Sequence, residues 1–265
     1  YSGDTGFYSG ARTLVPLLEA EHIPFQVLPG ISSLQYFAAR LGRSWQEWPQ
    51  PIRLREPAAL EAARTQLAGE VNFWRGVQYL FCQQWKKLKS YANEKGVSIL
   101  GDLPIYTALD SADVWASPKQ FQLDDRGCPT EVAGCPPDAF SEDGQLWGNP
   151  LFDWERMKRD GYQWWLHRVG YQLCLYDALR IDHFRGFESY YAIPYGDTTA
   201  RNGRWRPGPG LDFFQAVNSA LGKQNIVAED LGFLTPEVHR LLEETGYPGM
   251  KVLEFAFGSR ELGSA

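Results

Sequence analysis

The sequence predicts an α/β fold built on parallel strands. Three observations carry this prediction: apolar runs that end near an acidic residue (Asp102, Asp182, Glu229), helical periodicity between those runs, and strand–helix alternation from residue 97 to 257 with four strand-like units. That rhythm belongs to a parallel sheet or a barrel. Such folds gather functional groups at the carboxyl ends of their strands, so the strand-end carboxylates are the first candidates for chemistry. At 265 residues the chain can bury a full core, and one large domain is the default for that length.

The first 45 residues stand apart from this rhythm. Thr5 to Glu21 reads as a Gly-rich turn and a helix, and Phe25-Gln-Val-Leu-Pro-Gly30 as a strand closed by a Pro-Gly turn before another helix. Trp45-Gln-Glu-Trp-Pro-Gln-Pro51 breaks the pattern and marks a boundary. Ala58 to Phe81, rich in Ala, Leu and Glu with apolar residues three to four apart, predicts helix that continues through Trp85, Leu88 and Tyr91 to Asn93. Gly96 ends it. Val97-Ser-Ile-Leu-Gly-Asp-Leu-Pro-Ile-Tyr106 predicts a strand whose exit carries Asp102. From Ala108 to Phe152 the period is lost among Gly, Pro, Asp and Asn, which predicts a long functional loop.

Asp153 to Tyr176 predicts one helix, with Asp153 as N-cap and Glu155 favourable to the dipole in the first turn. The strand Ala178 to Ile181 follows, then a loop through Gly203-Arg-Trp-Arg-Pro-Gly-Pro-Gly210, a helix from Leu211 to Leu221, and the strand Asn225 to Ala228. Thr235 as N-cap with Pro236 at the first helical position starts the next helix, and Met250 to Phe257 is the last strand.

Composition excludes several classes of function. Net charge is −6 with 26 scattered Lys and Arg, so nothing attracts a phosphate backbone, and nucleic acid is not an expected partner. No apolar run approaches the roughly 20 residues that span a bilayer, and Tyr1-Ser-Gly-Asp-Thr-Gly6 does not read as a signal peptide, so a cytoplasmic setting is expected. Cys82, Cys128, Cys135 and Cys174 lack the spacing of a zinc site and read as free thiols. Aromatic residues reach 14%, including ten Trp, and Tyr106, Trp147 and Trp205 lie in polar, Gly- and Pro-rich stretches. Exposed aromatics beside carboxylates suggest a sugar, which offers an apolar ring face and a rim of hydroxyls.

Arg180, Asp182 and His183 share a strand end, and Arg180, two positions earlier, lies on the same side as Asp182. An arginine there keeps a nucleophilic carboxylate ionised, and the same pair is also what a structural ion pair would look like. Glu229 follows an apolar strand, where partial burial would raise its pKa as a general acid requires. Its neighbour Asp230 points to the opposite side, and spacing leaves open which of the two faces the cleft. Two carboxylates across one cleft are the minimum for attack on a glycosidic bond. Asp102 is either a third such group or a cap for the following turn. Asp138, Gln145, Trp147 and Asn149 in the long loop combine carboxylate, amide and indole, as a sugar site or an ordinary solvated loop would. His167 and His239 read as surface or packing residues, and Gly3-Asp4-Thr5-Gly6 is weak as a phosphate or cofactor turn.

Several collinear strings are more specific. They are Tyr91-Ala-Asn-Glu-Lys-Gly96, Gly101-Asp-Leu-Pro-Ile-Tyr106, Asp110-Ser-Ala-Asp-Val-Trp115, Val132-Ala-Gly-Cys-Pro-Pro-Asp138, Gly144-Gln-Leu-Trp-Gly-Asn-Pro150, Arg180-Ile-Asp-His-Phe-Arg-Gly-Phe187, Ala228-Glu-Asp-Leu-Gly232 and Pro248-Gly-Met-Lys-Val-Leu253. With them the chain resembles, from about Trp48 to Phe257, 4-α-glucanotransferases of the amylomaltase type in the α-amylase clan. The resemblance implies an incomplete (β/α)8 TIM-type barrel holding about strands 3 to 6, with a long inserted loop region. It implies retaining transfer of α-1,4-glucan segments between maltooligosaccharides, with Asp182 as nucleophile, Glu229 rather than Asp230 as acid/base, and Arg180 as orienting partner. It further implies that Asp102, Asp138, Gln145, Trp147, Asn149 and His183 bind glucose units and that Phe255 lines the cleft. No cofactor, metal or protein partner is implied.

Residues 2–46, through Ser2-Gly-Asp-Thr-Gly-Phe-Tyr-Ser-Gly-Ala11 and Val27-Leu-Pro-Gly-Ile-Ser-Ser-Leu-Gln-Tyr-Phe-Ala-Ala-Arg-Leu-Gly42, resemble a fragment of a precorrin-6Y C5,15-methyltransferase of the tetrapyrrole methylase family. The expected division is therefore 1–46, a methylase-like fragment, and 47–265, a partial catalytic barrel truncated at both ends. The family's His-Asp signature at a later strand is expected beyond residue 265, so the chain alone is expected to lack activity. An S-adenosylmethionine-dependent methyltransferase and a noncatalytic maltooligosaccharide-binding module are the alternative readings.

Overall fold

The computed structural model describes residues 45–138, 141–232 and 234–252. The expected turn, strand and helices before residue 45, the Gly3–Gly6 turn, nearly all of the methylase-like segment, and Phe255 lie outside these residues. In chain order the helices are α1 (Gln50–Arg53), α2 (Pro57–Gln66), α3 (Ala68–Glu94), α4 (Ala112–Ala116), α5 (Trp154–Arg159), α6 (Gln163–Leu175), α7 (Gly210–Leu221) and α8 (Pro236–Thr245). The strands are β1 (Leu100–Leu103), β2 (Glu131–Cys135), β3 (Gln145–Pro150), β4 (Ala178–Ile181), β5 (Ser189–Pro194), β6 (Arg204–Pro207) and β7 (Ile226–Ala228). The described residues divide into two compact units, one taking in residues 45–91, 106–153 and 193–202, the other residues 92–105, 154–192 and 203–252.

The second unit holds a parallel sheet in the order β1-β4-β7, so each strand lies beside the next parallel strand along the chain. This is how strands follow one another around a (β/α) barrel. Leu103, Ile181 and Ala228 stand in register on a face that is fully buried, as are Leu179 and Ile226 two residues earlier. Helix α6 packs on β1 and β4, and α7 lies against α6 and α8. The opposite face carries Leu100, Asp102, Arg180 and Val227, none of them buried. Gly101 admits the Tyr176 ring onto its backbone, and a side chain there would collide with it.

Between strand and helix lies an aromatic core. Trp165, Phe184, Phe187, Phe213 and Phe214 have no exposed surface, and Trp154 is nearly covered. The rings of Phe187 and Phe213 stack at 4.8 Å, with Trp165 edge-on to each at 5.4 Å. Burial of this kind contributes about 2–3 kcal/mol per large side chain. Trp154 and Trp165 thus serve the core, whereas Trp205 is 40% exposed.

The first unit opens with α1 to α3. Trp48 meets Trp115 of α4 edge-on at 5.6 Å, and Arg55 Nη1 donates to the Trp115 carbonyl at 2.7 Å. Strands β2 and β3 pair antiparallel with a register shift between Val132 and Gly134. Tyr106, expected to be exposed, is 9% accessible and stacks on Phe152. Helix α3 has the expected periodicity, yet among the described residues it buries no side chain and exposes Phe73, Tyr79, Leu80 and Leu88.

Several elements differ from expectation. The strand at 97–106 is only four residues long, which places Asp102 inside it, in register with Arg180, and not at its exit. The helix from Asp153 breaks at Gly161 and Tyr162, both with positive φ (71° and 58°), into α5 and α6. The long loop contains α4 and the β2–β3 pair, and the 184–209 segment contains a 3-10 turn (Phe184–Phe187) and the antiparallel β5–β6 pair. Gly, Asn and Pro inside Gln145–Pro150 hid the strand alternation. Helix α8 starts at Pro236 behind Thr235 as expected and ends on left-handed Gly246. Met250 to Val252 carry no strand, and the rest of that expected strand lies outside the described residues. Among the described residues no helix is long and apolar enough to cross a membrane.

Truncating Phe187 to Ala should lower the unfolding free energy in urea by about 3–5 kcal/mol through the cavity it leaves. Phe73→Ala on α3, where the ring is 59% exposed, should stay within about 0.5 kcal/mol of wild type in the same measurement.

Candidate active site

The parallel sheet and the turn that leaves β4 bring five of the expected residues together: Asp102, Arg180, Asp182, His183 and Glu229. Strands β4 and β7 pair as Ile181↔Ala228, and Glu229 N donates to the Ile181 carbonyl at 2.9 Å, so Asp182 and Glu229 leave adjacent strands side by side. Adjacent strands run about 4.8 Å apart. Asp182 N donates in turn to the Leu103 carbonyl of β1 at 3.0 Å, so the three strand ends form one rim.

Arg180 organises that rim. Its Nη1 donates to Asp102 Oδ1 at 2.6 Å and its Nη2 to Asp182 Oδ1 at 2.7 Å, while Nε points at Met250 Sδ at 3.1 Å. The guanidinium is mostly covered, at 22% exposed, whereas Asp102 is 63% exposed. Burial works against its charge, but the hydrogen bonds and the charges of Asp102 and Asp182 outweigh that and hold its pKa above the ordinary arginine value. Asp102 is therefore the far jaw of a clamp whose near jaw is Asp182.

Glu229 is held at both oxygens. Oε2 accepts the His183 backbone N–H at 2.9 Å and Oε1 accepts that of Leu231 at 3.0 Å. Burial raises its pKa above the ordinary carboxylate value; the two backbone donors and Arg180 pull it down, and Asp182 pushes it up. Asp230 takes another part: its Oδ1 accepts the Met250 N–H at 2.6 Å, and Gly249 lies so close to its carboxylate that a Cβ there would clash. Asp230 thereby ties down Met250, which meets Arg180. That role was not foreseen; Gly249 beside Met250 was the signal that could have raised it.

His183 adopts a left-handed backbone (φ 53°, ψ 49°) at the start of the 3-10 turn, which aims its N–H at Glu229. Burial, aided by the Arg185 charge, lowers its imidazole pKa to about 4, so the ring is neutral near pH 7.

The loop residues fall in the first unit. Trp147 Nε1 donates to Gln145 Oε1 at 3.0 Å, and the indole, 37% exposed, lies 6.2 Å from the Tyr106 ring. Asn149 Nδ2 donates to the Thr107 carbonyl at 2.9 Å. Asp138 Oδ1 accepts Ser141 N–H at 2.7 Å, which closes its own turn. All four cysteines are free thiols, and no group of three or more His, Cys, Asp or Glu among the described residues could hold a metal ion.

The lowered pKa of His183 makes stability depend on pH. Between about 4 and the ordinary value of 6.5, the unfolded imidazole is protonated while the folded one is neutral. Its contribution is therefore complete above pH 6.5 and lost as pH falls toward 4. His183→Asn, which tolerates the left-handed backbone, should remove about 2–3 kcal/mol of that acid-side loss, read from urea midpoints at pH 7 and pH 4.5.

A family model for 4-alpha-glucanotransferases matches residues 25–264. The 4-alpha-glucanotransferase of Streptococcus pneumoniae serotype 4 is 54% identical over 219 residues, covering 82% of this chain and 43% of its own length. The chloroplastic/amyloplastic 4-alpha-glucanotransferase of Arabidopsis thaliana is 45% identical over 249 residues, covering 91% of this chain and 43% of its own. An amylomaltase from Streptococcus agalactiae, solved in complex with acarbose, superposes with a TM-score of 0.83 at 39% identity over 96% of this chain and 51% of that one. The expected methyltransferase resemblance of residues 2–46 gains no support: the glucanotransferase model already covers residues from 25 onward. The string at 27–42 falls inside the residues that the glucanotransferase model matches, and a short Gly-bearing string such as that at 2–11 is weak evidence by itself. The chain spans about two fifths of the length of the curated relatives it matches. With this fold, this strand-end carboxylate pair and these matches, the chain belongs to the 4-alpha-glucanotransferase family.

Proposed function

We propose that this chain carries the donor-side chemistry of a retaining 4-α-glucanotransferase acting on maltooligosaccharides or α-1,4-glucans in the cytoplasm. The observation that carries this reading is the in-register exit of Asp182 and Glu229 from neighbouring parallel strands, with Arg180 gripping Asp182. A retaining mechanism requires the two carboxyl groups roughly 5–5.5 Å apart, and their exit from adjacent strands puts them on one rim.

In the first half-reaction an Asp182 oxygen attacks the anomeric carbon while Glu229 gives its proton to the glycosidic oxygen, so that bond breaks and the leaving glucan departs with a hydroxyl. Glu229 is then a carboxylate. It takes the proton from the 4-hydroxyl of an acceptor glucan, whose oxygen attacks the same carbon and releases Asp182. Two inversions at one carbon give net retention.

Arg180 keeps one Asp182 oxygen engaged and so orients the other toward substrate. Burial gives Glu229 the raised pKa of a proton donor, and its backbone donors fix its direction. Asp102 and His183 contact the donor sugar beside these groups. Asp138, Gln145, Trp147 and Asn149 bind further glucose units, Trp147 by stacking its exposed indole on a ring face. The acarbose complex of the Streptococcus agalactiae amylomaltase favours this substrate class.

The chain alone is expected to convert no maltotriose, which product analysis after incubation with maltotriose checks. Grafted in place of the matching segment of the Streptococcus pneumoniae relative, it should disproportionate maltotriose into glucose and longer maltodextrins. In that chimera Glu229→Gln should lower kcat by about 10²–10⁴-fold, and Asp182→Asn should abolish formation of a covalent glycosyl-enzyme detectable by mass spectrometry. Product of inverted configuration, or turnover unaffected by Asp182→Asn, would overturn the proposal.

A further inference from the structure

Glu229 is aimed by a backbone group whose own conformation is unfavourable. A non-glycine residue in the left-handed region costs about 1 kcal/mol or more, so the turn at His183 needs outside support. Part of it is local: Phe184 N donates to the Glu229 carbonyl at 3.2 Å, Gly186 N to the His183 carbonyl at 2.9 Å, and Phe184 and Phe187 are buried. The β5–β6 pair packs beside the turn. The Arg185 guanidinium lies 3.9 Å from the centre of the Trp205 ring, with Nη2 at 3.5 Å from Ser189 Oγ. Trp205 stands in register with Tyr191, and the two rings meet edge-on at 5.2 Å. Arg185 is 9% exposed, so a charged side chain is held under an aromatic lid two residues from the turn it follows.

We propose that Arg185, stacked on Trp205, is a positioning residue for the proton donor, closing the left-handed turn whose His183 N–H holds Glu229 Oε2. A cation–π contact of this covered kind contributes about as much as the turn's backbone strain costs. The inference deepens the proposed reaction, since it rests on Glu229 as acid/base, but it concerns how the carboxyl is held and needs no substrate to test.

The experiment is NMR on the isotopically labelled 265-residue chain, following amide hydrogen exchange at His183 and the carboxyl titration of Glu229. Arg185→Met keeps the buried stem and removes the guanidinium; Trp205→Leu removes the ring from a partly exposed strand and leaves Arg185 in place. Both should speed exchange at His183 about tenfold or more. Both should also raise the Glu229 midpoint by about one pH unit, because a backbone donor to the carboxylate is lost while Asp182, Arg180 and Leu231 N remain. Amides of Leu179 and Ile226 in the sheet should keep their protection. Arg185→Lys, which keeps charge but not the flat stack, should follow Arg185→Met. An unchanged Glu229 midpoint in a folded Trp205→Leu chain would overturn the proposal, as would equal loss of protection at His183, Leu179 and Ile226, which marks general support only. Failure of the transferase reading would appear in the chimera's products and leave these measurements standing.

Discussion

Everything at the candidate site depends on the parallel register that sets Leu103, Ile181 and Ala228 side by side. Side chains alternate along a strand, so burying these three against helices leaves Asp102 and Arg180 on the other face. A slip of one residue in β4 would turn Arg180 into the apolar layer and Ile181 out of it. The hydrophobic pressure on one face of the sheet thus specifies where the charges on the other stand. Asp182 and Glu229 then follow as the next positions after the last paired residues, and two backbone hydrogen bonds between strand ends hold them there.

A similar coupling governs the turn after β4. Phe184 and Phe187 are drawn into a core with Trp165, Phe213 and Phe214, which forces the chain to reverse immediately beyond Asp182. The reversal places His183 in a left-handed conformation and turns its N–H toward Glu229. Packing energy from apolar rings is in this way converted into orientation of a polar group. Electrostatics then divides the carboxylates: burial raises the pKa of Glu229, while Asp182 and Asp102 share a guanidinium.

Much of this was legible in the residues. The apolar runs at 178–181 and 226–228 are strands, α7 and α8 lie within a residue or two of where capping and periodicity put them, and the Arg180–Asp182 pairing follows from a two-residue spacing. What was not legible depended on partners distant in sequence. Asp102 was read as a strand exit because nothing local says where pairing with β4 stops. The β2–β3 and β5–β6 pairs were hidden by Gly, Asn and Pro, which obscure alternation while tertiary contacts hold the strands. Tyr106 looked exposed because its neighbours are polar, and Phe152, 46 positions away (152 − 106), covers it. Asp138 offered a free carboxylate in sequence, but one of its oxygens accepts from Ser141 and closes its own turn.

The amino-acid order was enough for the class of fold and for the strands that bring Asp182 and Glu229 side by side, through short-range spacing and hydrophobic periodicity, and its collinear strings were enough for the family. Which partners Glu229 and Asp230 meet needed the folded chain. Neighbouring residues on a strand end differ in what they meet, and that is settled by elements far along the chain: the His183 turn meets Glu229 and the Gly249–Met250 segment meets Asp230. Tertiary packing likewise made Arg185 and Trp205 partners across 20 positions (205 − 185), a contact that no local spacing announces.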